Sequence, residues 1–160
     1  MYTEDFLEEL ITCPKIVTDA PSEMKQARSG FLKRSFTLVS LDGQYSFNGF
    51  ITQNLTFQEN FSVGLAFNPK GEKGTIVLLR CNGAHGGTRQ FPHHASCHIH
   101  KCSADGVNDG NKSEDNIEVT KAYATIDEAI QYYVKRIGID ATHSTKYFPP
   151  PSGQRDLFGH

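Results

Sequence analysis

The stretch Phe36-Thr37-Leu38-Val39-Ser40-Leu41-Asp42-Gly43-Gln44-Tyr45-Ser46-Phe47-Asn48-Gly49-Phe50-Ile51-Thr52-Gln53 decides the fold. Two runs rich in aromatic and branched side chains, 36–41 and 45–53, flank Asp42-Gly43. Both residues of that pair tolerate positive φ, so it reads as a two-residue β-hairpin turn. On the C-terminal side, Phe61, Val63, Leu65 and Phe67 alternate with Ser62, Gly64, Ala66 and Asn68, the pattern of a strand with one buried face. Residues 69–74 (PKGEKG) form a turn, and 75–81 is a continuous apolar strand that belongs near the middle of a sheet. These four runs predict an antiparallel meander, with a Gly/His loop over 82–95 and a fifth strand over 96–102.

The flanks are helical or irregular. Thr3 caps a short helix with Glu4 and Asp5 in its first turn and Phe6, Leu7, Leu10 and Ile11 as its apolar stripe, and Pro14 ends it. Residues 16–30 are polar, contain Pro21, and read as a surface loop. Residues 104–116 have almost no apolar side chain and read as a mobile excursion. Thr125 and Glu128 make a capping box before Ile126, Ala129, Ile130, Tyr133, Val134 and Ile137, a helical stripe that Gly138 closes. The expectation is an α+β domain over 1–138: a five-stranded antiparallel sheet, a C-terminal amphipathic helix on one face, and a short N-terminal helix. Residues 139–160, with Pro149-Pro150-Pro151, are expected to be an extended tail.

Bulk properties narrow the function classes. A chain of 160 residues buries a core without disulfide staples. Its formal charge of −2 gives no general affinity for nucleic acid or anionic membranes, although it leaves room for a local basic patch. No signal-like N-terminus and no bilayer-length apolar run is present, and four cysteines are too few for a disulfide scaffold. The expectation is a cytoplasmic protein with free thiols and no membrane partner.

Chemistry concentrates in 81–102, CNGAHGGTRQFPHHASCHIHKC, which holds five of the seven histidines and three of the four cysteines. Imidazoles and thiols bind borderline metals, and imidazoles move protons near neutral pH. On a strand His98 and His100 share a face about 7 Å apart, so they can converge on one ion or act as an acid–base pair. A zinc module built on cysteine pairs does not follow. No C-x-x-C exists, and Cys97 and Cys102 fall on opposite faces. No metal ligand set is therefore fixed, and zinc stays an option with His98, His100, His93, His94 and Cys102 as candidate ligands.

The loop Asn82 to Arg89 offers a second feature. Backbone amides at Gly83, Gly86 and Gly87 can turn toward an anion, with Arg80 and Arg89 on either side. A Gly-rich loop has the same composition for backbone reasons alone. It is not a Walker loop, because no Gly-Lys-Ser/Thr follows. Combined with His98, His100 and His85 as proton-transfer groups, the segment suits phosphodiester cleavage without a metal, a ribonuclease-like activity of the toxin type acting on RNA or a nucleotide. One alternative is a non-enzymatic inhibitor or regulator, of a defence or anti-defence kind, that presents the loop and the proline-containing tail to a protein partner. Another is a metal-dependent hydrolase built on His98 and His100. The triplet His143-Ser144-Thr145 matches half of a paired His-x-Thr phosphoesterase motif, but no second copy exists. The aromatic series Phe31, Phe36, Tyr45, Phe47, Phe50, Phe57, Phe61 and Phe67 reads as core before it reads as a platform for bases.

Several of these residues carry a resemblance. Gln53-Asn54, Glu59-Asn60-Phe61-Ser62, Leu79-Arg80-Cys81-Asn82-Gly83-x-His85-Gly86, His98-Ile99-His100-Lys101 and the terminal amphipathic helix together resemble a family of small bacterial and phage proteins described only as a domain of unknown function. The likeness covers residues 7 to 139. It implies a bacterial or phage setting near mobile-element or defence genes. It brings no established activity and no catalytic residue, and the cysteines are not part of its pattern.

Overall fold

The chain turns at Asp42-Gly43, but through a longer loop than two residues. In a computed structural model, which describes residues 1–28, 30–87, 89–110 and 116–151, strand β3 (Phe31–Ser40) pairs with β4 (Ser46–Asn54). The loop closes where the Ser40 amide donates to the Tyr45 carbonyl at 2.9 Å. Asp42 Oδ1 accepts from the Ser40 hydroxyl and from the Gln44 amide, which widens the turn, and only Gly43 takes positive φ. The meander then continues as expected through β5 (Phe61–Asn68), β6 (Ile76–Asn82) and β7 (His98–Lys101), each antiparallel to the last.

Among the described residues the sheet has eight strands rather than five. The stretch expected to be a loop over 16–30 holds β1 (Lys15–Asp19) and β2 (Lys25–Arg28), which pair with opposite ends of β3. The polar stretch expected to be mobile opens with a helical turn, α2 (Ala104–Asn108), capped by the Ser103 hydroxyl, and its last residue starts β8 (Asn116–Val119) beside β7. These strands are short and sit at the sheet's margins. β1 buries Lys15 and Val17 but is too short to show a clear period. Backbone pairing to β3 and β7 holds β2 and β8, which need no alternating apolar pattern. Residues 111–115 lie outside the described residues.

Helix α1 (Glu4–Thr12) has its Thr3 cap, and α3 (Ile126–Arg136) has its Thr125 cap. The stretch after 138 is not extended throughout. Ile139 bridges Lys15, Asp140 caps helix α4 (Ala141–Tyr147), and Phe148 is buried against Phe36 at 5.1 Å between ring centroids. Residues 152–160 of the expected tail lie outside the described residues. No helix among the described residues is long and apolar enough to cross a membrane.

Strand alternation sorts the sheet into two unlike faces. The first carries Phe36, Phe47, Ile51, Val63, Leu65 and Cys81, all buried. It packs against Leu7, Leu10 and Ile11 of α1 and Ala129, Tyr133 and Val134 of α3. Tyr133 is fully buried there, and its hydroxyl donates to the Gly64 carbonyl at 2.8 Å. The register defines two rows across the second face. Lys33, Thr52, Ser62, Asn82 and His98 are successive cross-strand partners, and so are Ser35, Phe50, Gly64, Arg80 and His100.

Candidate metal centre

The site grows from the end of β7. Pairing with β6 sets His98 opposite Asn82 and His100 opposite Arg80, all on the second face. The Tyr123 hydroxyl lies 2.9 Å from the Asn82 carbonyl and 3.0 Å from the His98 carbonyl, which pins the two strand ends together from the core side. Beyond Asn82 the chain must fold back tightly. At Gly83 a Cβ would lie 2.0 Å from the Glu59 carbonyl oxygen, and at Gly87 one would lie 2.7 Å from the Ala95 Cβ. Gly86 supplies the positive φ between them. The His85 amide then donates to the His94 carbonyl at 2.7 Å, and a proline-initiated 3-10 turn (Pro92–Ala95) presents His93 and His94.

The outcome is a convergence of five imidazoles. Ring centroids are 4.1 Å apart for His85–His94, 5.2 Å for His85–His98, 5.1 Å for His93–His98 and 5.0 Å for His98–His100. His98 lies at the centre and is fully buried. Its Nδ1 lies 2.8 Å from the Ser96 carbonyl oxygen. A carbonyl only accepts, so Nδ1 carries the proton and Nε2 keeps its lone pair. That Nε2 is buried with no hydrogen-bond partner among the described residues. A backbone carbonyl fixing the tautomer while the far nitrogen points inward is the usual support of a metal-ligating histidine.

Two triads share His98 and could hold a metal ion: His85, His94 and His98, and His93, His98 and His100. The ligating nitrogens of each lie within 4.8 Å of one another. Tetrahedral zinc with nitrogens at about 2.05 Å needs them roughly 3.4 Å apart, a difference that ring rotation can close. Burial pushes His98 below the ordinary imidazole range, with His93, His94 and Arg80 adding to the effect against the opposing pull of the Ser96 carbonyl. Burial comes first for His85 too, then the charges of His94, His98 and His93. His94 is lowered by burial and by His93. These three rings are thus biased to the neutral form that binds metals.

The other expected residues fall into distinct places. Cys102 belongs to neither triad, because β7 ends at Lys101 and the thiol is buried in the hydrophobic core. Cys81 is also core, with its thiol pushed up to about 12 by burial. Arg89 is exposed in the bend after the glycines. Arg80 lines an open groove of about 640 Å³ on the second face, together with Lys33, Phe50, Thr52, Ser62 and His85. His143 has a structural task, its Nδ1 accepting from the Val17 amide at 3.0 Å. Reading along the chain overlooked Lys33 and the Ser96 carbonyl. Lys33 joins the groove only through strand register, and a backbone oxygen leaves no mark on residue type. No protein-family model, no curated protein and no solved structure matches the chain.

Proposed function

We propose that His93, His98 and His100 hold a zinc-class divalent ion and that the chain is a metal-dependent hydrolase of phosphoric esters. The buried Nε2 of His98, without a hydrogen-bond partner among the described residues, carries this reading. A metal-free acid–base scheme would need that nitrogen to meet a substrate proton, yet it is closed in by other imidazoles. The chosen triad has two members fixed by strand register and the third on the turn that covers them. An all-imidazole set of three leaves a coordination position open, which is the catalytic rather than the cysteine-rich structural type.

A bound ion supplies Lewis acidity and a water acidified toward neutral pH. His85, which lines the groove and is biased to the neutral form, would take the proton of the attacking water as the oxygen–phosphorus bond forms and pass it to solvent. The leaving oxygen, on the opposite side of phosphorus, takes its proton from solvent as the ester bond breaks. Arg80, directly across from His100, offsets charge on the phosphoryl oxygens. Phosphoric esters fit because, among the described residues, two cations and no carboxylate side chain line the groove.

The test uses the full chain and bis(p-nitrophenyl) phosphate. Hydrolysis should stop in EDTA and return with zinc. His98→Ala and His93→Ala should lose metal and activity together, whereas His85→Ala should keep the metal and lose about 10²–10⁴ in rate. Turnover that persists in EDTA would restore the metal-free scheme. Loss of metal in His94→Ala but not in His100→Ala would move the ion to the other triad.

A further inference from the structure

We infer that the open second face of the sheet seats a single-stranded polynucleotide, with Phe50 as a stacking platform, Lys33 as a phosphate contact, and the histidine cluster at the far end of the path. Delivery of the strand to hydrolysis rests on the reading above; the seat itself does not.

The platform is built from two residues. Phe50 points away from the core, and its ring lies on Gly64 of the next strand, where a Cβ would stand 2.0 Å from the Phe50 Cζ. Only glycine permits this. The ring tip lies over the Gly64 backbone, and the side chain lines the groove. Phe31 lines the same groove, whereas Phe36, Phe47, Phe61 and Phe67 are buried. Phe31 and Phe50 are half-buried, and aromatic rings that open onto a groove from a sheet are good stacking surfaces, since every base has a π-face.

Charge and spacing select the ligand. The chain carries 18 acidic against 16 basic residues, yet among the described residues the groove is lined by Lys33 and Arg80 and by no carboxylate side chain. The local field is therefore opposite in sign to the whole, as a phosphodiester backbone requires. Lys33 Nζ stands over the Phe50 ring at 6.0 Å from its centroid, so a base stacking on the ring displaces the flexible ammonium toward its own phosphate. Phe50, Gly64, Arg80 and His100 are successive cross-strand partners. Three strand spacings make this path about 14 Å long. That is a span for two or three nucleotides, the number a sheet of this kind seats. Thr52 and Ser62 add hydroxyls along the parallel row. A duplex cannot use the platform, because its base faces are already stacked.

Fluorescence anisotropy on the full chain tests this, using labelled 10-nucleotide single strands of RNA and of DNA and the matching duplex, all in EDTA so that no hydrolysis intervenes. Single strands should bind at least tenfold more tightly than the duplex, and the two sugars show which backbone the hydroxyl row prefers. Phe50→Leu should weaken single-strand binding about 5- to 150-fold, the range of a lost base–aromatic stack. Lys33→Ala, an exposed position that cannot disturb folding through the core, should reduce the slope of log K against log salt by about 0.7. No single-strand binding, equal or tighter duplex binding, or wild-type behaviour of both variants would overturn the inference. Binding without any metal-dependent hydrolysis would leave the seat standing and remove the hydrolase reading. Hydrolysis of the small ester without strand binding would do the reverse.

Discussion

His98 owes its character to two nitrogens in opposite situations. One is held by the Ser96 carbonyl, and the other is buried without a partner among the described residues. Lys15 is the contrasting residue, fully buried and fully used. Its ammonium donates to the carbonyls of Ile11, Cys13 and Ile137 at 2.7–2.9 Å and lies over the Phe47 ring. Burial draws its pKa down to about 8, but the carbonyls at the ends of two helices favour the charged form. Lys15→Met should therefore lose about 1–3 kcal/mol in urea unfolding, because apolar bulk leaves those acceptors unsatisfied. An unchanged midpoint would deny Lys15 that role. At this scale strand parity already put His98 and His100 on one face, since a period of two needs no tertiary information. The burial of His98 was not legible. It depends on the loop from 83 to 96 folding back through Gly83, whose fit against the Glu59 carbonyl is a long-range contact. Gly83→Ala should accordingly displace that loop, lower stability by about 1–3 kcal/mol and weaken metal binding in the same titration.

Between elements, Glu8 acts as the clasp. It joins α1 to Lys101 of β7 at 2.7 Å and to Arg136 of α3 at 2.8 Å. The Arg136 hydrogen bond is the largest influence holding its carboxyl below the ordinary value of 4.5, with Lys101 helping. As pH falls, the unfolded chain takes up this proton before the folded one. The clasp thus stabilises above about pH 4.5 and is lost as pH drops through the lower folded value. Its side chain is 41% exposed, so the contribution is about 1 kcal/mol or less. Glu8→Gln should lower stability by that amount at pH 7 and flatten the decline between pH 5 and 3; an identical decline in both proteins would contradict the assignment. The elements that were legible carry their own punctuation. Thr3 and Thr125 accept from Phe6 and Glu128 amides, and Gly138 takes φ +74° where a Cβ would meet the Thr12 carbonyl. The missed strands β1, β2 and β8 lack that signal. All four residues of β8 are exposed, so only the neighbouring β7 backbone specifies it.

Across the whole molecule the two faces of one sheet divide the labour. Helices α1 and α3 seal the first face as a core, while the second face carries an aromatic and cationic groove lined at one end by His85, a member of the five-histidine cluster. The aromatic series shows why the sequence alone left this open. Alternation separates Phe50 from Phe47, but which side the helices cover is fixed only when the chain folds. An ion at His98 would tie the loop from 83 to 96 to β7 and bind the folded state alone. At a free concentration 100 times Kd it would add about 2.7 kcal/mol to stability. The most direct test is a zinc titration of the EDTA-dialysed full chain and of His98→Ala, read as ions bound per chain and as the shift in Tm. One ion per wild-type chain is expected, with Tm rising by several degrees and the affinity of His98→Ala falling by about 100-fold or more. No bound ion and no shift in Tm, or equal binding by the two proteins, would contradict a metal centre at these histidines.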